Sequence, residues 1–358
     1  MGVISRVVAA VTGWSRGAWE VSQRHPAVAP LARVARHYVL EIVAVLCVLA
    51  LVLAVNPAQL ASTFRHTDTR VLILMLPVTI GTYLARSLGW YVTLRAVDVD
   101  VDIRHSVAVE FAGQTMVFLP TGDLARIALI KQVTGTRRSG GELTATIAFG
   151  ELIFMTLMGL GVLPRVATHP GVALLVILML LMHVLVLAVL IWEPAYNWAI
   201  GLVEKAGPLQ RFDAQLRAIR PAFLELLRPR VAIPVILCNA VAVVLSYLLF
   251  YLALHAIGQT HVDFVAAMFV LALSWVISSI SLIPGGVGPF EGLLTVLLIA
   301  NGVPVAAGAA AGLLFRGFND ILMAGVGAVF LVLIRRGRLH EQPRPNGRRG
   351  RRAATRAP

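Results

Sequence analysis

Long apolar stretches separated by short polar segments occupy the chain from about residue 38 to residue 334. About 20 apolar residues are enough for a helix to cross the hydrocarbon core of a bilayer. Six stretches come close to or exceed this length, and they predict full spans at residues 38–55, 71–91, 143–163, 172–192, 231–257 and 306–334. The pattern therefore predicts an all-α, polytopic membrane protein.

Two further apolar segments, residues 107–133 and 264–300, are each interrupted by a Pro-Gly sequence. Proline removes a backbone donor and glycine adds backbone freedom, so neither sequence continues a helix. Broken backbone at membrane depth is tolerated only against protein or a water-filled cavity. We interpret both segments as re-entrant hairpins, which gives an eight-helix-type bundle. For residues 107–133, an ordinary loop between a span and an amphipathic helix is the alternative.

Three polar segments lie outside these apolar stretches. Residues 1–37 carry five arginines among short apolar runs, which is typical of an amphipathic helix on an anionic membrane surface. Residues 193–230 form a polar linker with helical patterning, and residues 335–358 are rich in Arg, Pro and Gly, which predicts disorder. The predicted organisation is thus an N-terminal segment, a membrane domain over 38–334, and a basic tail.

The composition excludes a soluble globular domain, because 58% of residues are hydrophobic and only 14% are charged. The net charge of +13 could suggest nucleic acid, but its distribution points elsewhere. Of the 31 Lys and Arg residues, 25 lie in segments on one side of the predicted spans, namely 1–37, 93–105, 131–141, 193–230 and 335–358. The positive-inside rule therefore places both termini in the cytoplasm of a multi-pass cell-membrane protein, with no nucleic-acid role.

The predicted spans also suggest an internal repeat. Residues 38–163 and 172–334 contain the same order of elements, but they cross the membrane in opposite directions. Landmarks recur at intervals of 164 to 167 residues: Pro120 and Pro284, Gly135 and Gly302, Glu151 and Arg316. Inverted repeats with broken helices are typical of alternating-access transporters.

Charged residues near the two breaks are the candidate chemistry. A lone charge at mid-membrane costs roughly 3 kcal/mol on insertion scales, so each needs a partner or a role. Arginine suits bidentate binding of phosphate, and helix N-termini add backbone donors. If the hairpins pack together, one polar cavity for an anionic headgroup results; the alternative is a set of ion pairs that lock the bundle. The candidate substrate-binding residues are Pro120, Gly122, Asp123, Arg126, Glu151, Pro284, Gly285, Gly286, Gly288, Glu291 and Arg316.

Other chemistry finds little support in the sequence. Cys47 and Cys238 both lie in apolar spans, and the nine histidines lack metal-ligand spacing. Asp98, Asp100 and Asp102 alternate, but the Gly and distal Glu of a calcium loop are missing, so a solvated turn is the better interpretation. No Ser/His/Asp, Cys/His or Walker pattern is present. We therefore predict no cofactor, no metal and no enzymatic activity.

The residues around both breaks resemble the lysylphosphatidylglycerol synthase transmembrane-region family, whose members are flippase-like membrane proteins. The resemblance rests on Leu282-Ile-Pro-Gly-Gly-Val-Gly-Pro-Phe-Glu291, Gly302-Val-Pro304 and Phe315-Arg316, and in the first half on Phe118-Leu-Pro-Thr-Gly-Asp-Leu-Ala-Arg126, Lys131, Thr134-Gly135 and Glu151. It covers roughly residues 38–334.

The resemblance implies lipid handling. In the multiple-peptide-resistance proteins this region is fused to a soluble aminoacyltransferase, for which the 24 residues after the last predicted span leave no room. Other relatives are linked to polyprenyl-phosphate sugar pathways. The expected function is translocation of an anionic phospholipid or a lipid-linked intermediate. A scaffold for a lipid- or glycan-modifying enzyme and a membrane-embedded lipid-phosphate transferase are the alternatives.

Overall fold

The computed structural model describes residues 57–116, 122–168, 170–205, 213–280 and 288–336. Over these residues the chain is helical, without strands. The helices are α1 Pro57–Arg65, α2 Thr69–Ala96, α3 Ile103–Gly113, α4 Gly122–Thr134, α5 Gly140–Leu160, α6 Pro170–Ile191, α7 Glu193–Lys205, α8 Asp213–Leu226, α9 Pro229–Ala256, α10 Phe264–Ile280, α11 Pro289–Ala300, α12 Val305–Arg316 and α13 Met323–Arg335. The predicted N-terminal segment, the first predicted span at 38–55 and most of the basic tail lie outside the described residues.

Among the described residues, four helices are long and apolar enough to cross a membrane: Thr69–Ala96, Gly140–Arg165, Pro229–Ala256 and Val305–Arg335. A fifth span results if α6 and α7 are counted together, although they bend by 97° at their junction. These helices coincide with five of the six predicted spans. The chain is therefore an all-α, multi-pass membrane protein.

The last predicted span differs from a continuous α-helix. Between α12 and α13, residues Gly317–Leu322 form a π-helical turn that contains the buried Asp320. A π turn inserts one extra residue per turn and frequently marks a functional site. Here it changes the direction in which the side chains after Arg316 project.

The two 28-residue helices α2 and α9 pack against each other at the centre of the bundle. Small and hydroxyl-bearing residues of α2, such as Thr82 and Gly89, are buried at this contact, as is usual between membrane helices. A Cβ atom on Gly89 would lie 3.4 Å from the Cβ of Cys238. Leucines and isoleucines cover the outer faces, where Ile73 is 61% and Leu237 is also 61% exposed, so these faces suit contact with lipid.

The segments predicted as hairpins each form two short helices that pack against each other: α3 with α4, and α10 with α11. The 11 residues of α3 extend about 16 Å, roughly half of the hydrocarbon core. Residues 117–121 and 281–287, which contain Pro120, Pro284, Gly285 and Gly286, lie outside the described residues. Re-entry into the membrane stays a prediction.

The polar connections gather at the two ends of the bundle. At one end, Arg138 binds Asp98 and Glu142, with a distance of 2.8 Å to each carboxylate. At the other end, Arg165 lies 3.0 Å from the Asn301 side chain and 3.4 Å from Asp263. This grouping matches the loops that the charge pattern assigned to common sides, while the side that faces the cytoplasm stays a prediction.

Candidate functional site

Four charged residues from four different helices meet in what we call the first cluster: Arg86 on α2, Glu110 on α3, Arg126 on α4 and Glu151 on α5. The Arg126 guanidinium lies 3.1 Å from Glu110 and 3.9 Å from Glu151. Arg86 forms a direct hydrogen bond to Glu151 and lies 3.8 Å from Glu110. Each carboxylate thus faces both guanidinium groups.

Burial makes this cluster unusual, because Glu110 is only 1% exposed. Two arginines and two glutamates balance formally, so the cluster carries no net charge among these four residues. The Arg86 guanidinium also stacks on the Phe154 ring at 4.5 Å from its centroid. Together the pairs and the ring compensate charges that could not otherwise stay in a membrane interior.

A small cavity of about 20 Å³ adjoins the first cluster, with Trp90, Thr146 and Asn239 among its lining residues. This volume is enough for one water molecule with polar partners. The Arg126 side chain passes close to Gly113, and glycine leaves the space for it. A Cβ atom on residue 113 would lie 2.6 Å from the Cγ of Arg126. The cavity is too small for a lipid headgroup in this conformation.

The second cluster consists of Glu291 on α11, Arg316 at the end of α12, and Asp320 in the π turn. Arg316 Nε lies 2.8 Å from Glu291, and its Nη1 lies 2.7 Å from Asp320. The guanidinium also lies over the Phe290 ring, 4.6 Å from its centroid. All three charged side chains are at most 10% exposed.

Local backbone structure holds the second cluster in place. Gly288 has φ of +94°, a conformation that favours glycine, and its N–H donates to Glu291 at 2.6 Å. Glu291 therefore caps α11 while it pairs with Arg316. Asp320 reaches Arg316 because the two are four residues apart, and its other oxygen accepts from the Asn319 amide at 2.7 Å.

Tyr83 links the two clusters. It lies on α2, one turn before Arg86, and its hydroxyl donates to the Asn319 carbonyl in the π turn at 2.8 Å. Its ring lies 6.1 Å, centroid to centroid, from the ring of Phe111, the residue after Glu110 on α3. The clusters are therefore neighbours on either side of one buried tyrosine.

The sequence-predicted site residues divide between the clusters. Arg126 and Glu151 belong to the first, and Glu291 and Arg316 belong to the second, with Gly288 as the cap of Glu291. Gly122 and Asp123 begin α4. Pro120, Pro284, Gly285 and Gly286 are outside the described residues, as noted above.

The charged residues for which the sequence suggested one polar cavity thus lie in two clusters, with Glu151 in the first and Arg316 in the second. The reason is local: Arg316 has Asp320 one turn away on its own chain segment and Glu291 on the packed α11. Glu151 finds Arg86 and Arg126 instead.

Sequence reasoning missed three participants, Arg86, Glu110 and Asp320. Each is a charged residue in an otherwise apolar helix, and that was the available signal. Arg316 and Asp320 also have the spacing of a helical ion pair. Arg86, Glu110 and Arg126 are far apart in sequence, so their meeting depends on helix packing.

The fold and the site together define a multi-pass helical membrane protein with ionisable residues buried in its interior. Residues 38–327 match the family described as the lysylphosphatidylglycerol synthase TM region, and the chain belongs to this family. It is also similar to a UPF0104 membrane protein of Methanothermobacter thermautotrophicus, with 24% identity over 333 residues that cover 81% of this chain and 94% of the archaeal protein. The resemblance seen in the sequence motifs is thereby confirmed. The family is the membrane domain of flippase-like proteins, and its match includes both clusters.

Proposed function

We propose that this protein is a flippase, which moves an anionic phospholipid or a polyprenyl-phosphate-linked intermediate across the cytoplasmic membrane. The observation that carries the proposal is the pair of buried arginine–carboxylate clusters at the short paired helices. Buried ion pairs contribute little to stability compared with apolar packing, and in a membrane they commonly serve transport. Membership in the lysylphosphatidylglycerol synthase TM region family supports a lipid cargo.

An inverted repeat, which alternating access would use, is part of the proposal. Helices α2 and α9 both have 28 residues, and each is followed by a residue with positive φ, Asp98 at +56° and Gly258 at +81°. An aspartate then directly precedes α3 and α10. Gly135 at +64° and Gly302 at +80° end the second short helix of each pair. These correspondences support two halves built alike, whose relative movement would open opposite sides of the membrane in turn.

In the proposed cycle, the arginines exchange their carboxylate partners for the phosphate of the headgroup. Arginine binds carboxylate and phosphate with the same forked geometry, so the exchange needs no change of the guanidinium itself. The carboxylates hold Arg126 and Arg316 when the cargo is absent. No covalent step is required, and we assign neither a catalytic group nor a cofactor.

A scaffold for a lipid- or glycan-modifying enzyme is the second candidate. It is favoured by the observation that the arginines of both clusters are already paired with carboxylates, as in a structural lock. In a lock, the pairs never open, and phosphate is never bound.

The test reconstitutes the chain in liposomes with fluorescent lipid analogues and measures quenching by external dithionite. A bilayer without flipping loses about half of the signal, because only the outer leaflet is reached. We expect loss beyond half for a phosphatidylglycerol or polyprenyl-phosphate analogue, and none beyond half for Arg316→Ala. Arg336→Ala, at an exposed position after α13, is the matched control and should behave as wild type. Correctly folded protein that gives only half quenching with every cargo would favour the scaffold.

A further inference from the structure

A cavity of about 620 Å³ lies at the end of the bundle where α2 ends and α9 begins. Its charged lining residues are Arg95, Asp98, Arg138, Glu142, Glu225 and Arg230. We call it the vestibule. Its volume lies in the range of small-ligand sites and would accept a phospholipid headgroup. It is formed by residues of the three basic segments 93–105, 131–141 and 193–230, and α8 forms one wall.

Two of the three vestibule arginines, Arg95 and Arg230, form weak pairs, whereas Arg138 binds both Asp98 and Glu142 at 2.8 Å. Arg95 is 48% exposed and Arg230 is 72% exposed, so their ion pairs with Asp100 and Glu225 are screened by water. Exposed pairs contribute little, typically under about 1 kcal/mol, and an arginine can leave such a partner for a phosphate at small cost. In the first cluster the same exchange costs more, since Glu110 and Arg126 are almost fully enclosed.

The vestibule and the small cavity of the first cluster lie between the same three helices at successive depths. On α2, Arg95 lines the vestibule and Trp90 lines the small cavity. On α5, Glu142 lines the vestibule and Thr146 lines the small cavity. On α9, the corresponding residues are Val231 and Asn239. On each helix, the residue that lines the vestibule and the residue that lines the small cavity are four to eight positions apart, which is a rise of about 6–12 Å along the helix.

Apolar side chains occupy the helix positions between the two cavities. Leu94 on α2, Leu143 on α5 and Val235 on α9 are fully buried and belong to one apolar cluster. A charged headgroup cannot pass such a layer without displacing it, because its desolvation would be uncompensated. The layer therefore separates an exposed arginine site from a buried one.

We propose that the vestibule is the docking site for the phosphate-bearing headgroup of a lipid, and that Leu94, Leu143 and Val235 form the gate between it and the first cluster. The inference rests on the proposed function, of which it specifies the entry site. On docking, the phosphate takes the place of the carboxylates that pair weakly with Arg95 and Arg230. Opening of the gate then brings the phosphate to Arg86 and Arg126.

The docking site is tested by thiol protection in a full-length chain whose Cys47 and Cys238 are replaced by alanine. Ala218→Cys adds a thiol at the vestibule wall, and its labelling by an impermeant maleimide is measured with and without dihexanoyl phosphatidylglycerol. We expect the lipid to slow labelling, and Arg230→Gln to raise the half-protecting concentration about tenfold, as for one lost charge-assisted hydrogen bond. Arg217→Gln, which lies next to Ala218 on α8 and outside the cavity lining, should change nothing. Lack of protection, or equal protection by inorganic phosphate, would overturn the headgroup assignment.

The gate is tested with Gly150→Cys in the same background, because Gly150 lines the small cavity and has room for a Cβ atom. Labelling should be slow, and Leu143→Ala should speed it about tenfold or more by raising the population of the open state. Leu249→Ala, an equally buried leucine in the other large apolar cluster, is the matched control for general loosening. Equal acceleration by both variants would overturn the gate.

Neither measurement needs transport. Protection and gating in a protein that does not flip lipid would retain this inference and refute the flippase. Flipping by a protein whose vestibule thiol stays unprotected would retain the flippase and refute this inference.

Discussion

Glu110 is the residue on which the first cluster depends, because it lies between two arginines and is 1% exposed. Its side chain comes from the last turn of α3, a helix too short to cross a membrane alone. A carboxylate in this position neutralises guanidinium groups from two other helices. It therefore ties α3 to α2 and α4 by charge as well as by packing.

Substituting Glu110→Gln should lower the free energy of unfolding by about 3 kcal/mol, since breaking a buried pair leaves charge uncompensated. Asp100→Asn is the comparison, because Asp100 also pairs with an arginine but is 81% exposed. Its loss should cost less than about 1 kcal/mol. Denaturant unfolding in detergent micelles would measure both values, and similar losses for the two variants would contradict the assigned burial.

For single residues, the sequence predicted the charged members of the site better than it predicted which of them form ion pairs. Arg126, Glu151, Glu291 and Arg316 were identified because each is a charge in apolar surroundings or at a helix start. Glu110 was not among the residues that the sequence identified. Its role depends on contacts with Arg86 and Arg126, 24 and 16 residues away, which no local pattern specifies.

Helix pairs in this protein approach closely where glycine replaces a side chain. A Cβ atom on Gly141 of α5 would lie 1.8 Å from the backbone oxygen of Gln215 on α8. The same holds for Gly327 of α13, whose Cβ would lie 2.1 Å from the Phe111 oxygen on α3. Backbone atoms cannot turn aside as a side chain can, so these contacts require glycine.

We therefore expect Gly141→Ala to push α8 from α5 and to lower the thermal unfolding temperature, with a cost of about 1–3 kcal/mol as for overpacking. Gly140→Ala is the matched control one residue earlier, where the nearest atom would be 3.8 Å from the added Cβ. Thermal unfolding in detergent compares the two. Equal melting of both variants would show that α8 does not lie against Gly141.

The elements themselves were largely predictable, since apolar length determines a membrane helix. The π turn at Gly317–Leu322 was not, because hydropathy is the same for α- and π-helical residues. The sharp bend between α6 and α7 follows a predicted boundary, where Trp192 precedes the polar Glu193. Helix irregularities of this kind depend on contacts between helices such as the pair between Arg316 and Glu291.

For the whole molecule, the charge pattern predicted which connections share a side, and the structure groups them accordingly. The orientation in the membrane can be measured with impermeant maleimide on intact cells, with Cys47 and Cys238 replaced. Thr260→Cys should be labelled from outside, and Asp100→Cys only after permeabilisation, because basic segments surround Asp100. Both positions are exposed. The reverse pattern would invert the proposed orientation.

The two-cluster arrangement is the feature of the whole molecule that the sequence did not specify. Matching spacings between the halves put Glu151 and Arg316 at equivalent positions, and one polar cavity was expected if the hairpins packed together. In the structure, each half has its own arginine–carboxylate cluster, with Tyr83 between the two. Sequence intervals report equivalent positions, whereas ion pairing depends on distances that only the packed bundle determines.

The central claim is that the second cluster serves transport and not only stability. It is tested most directly by the triple variant Arg316→Met, Glu291→Gln and Asp320→Asn, which removes the charges together. Replacing a whole buried ion cluster is often neutral for stability. The free energy of unfolding of this variant should therefore lie within about 1–2 kcal/mol of the wild-type value. In the dithionite assay, we predict a folded protein without lipid flipping. Flipping at the wild-type rate by the uncharged variant would contradict the account and leave the cluster a structural lock.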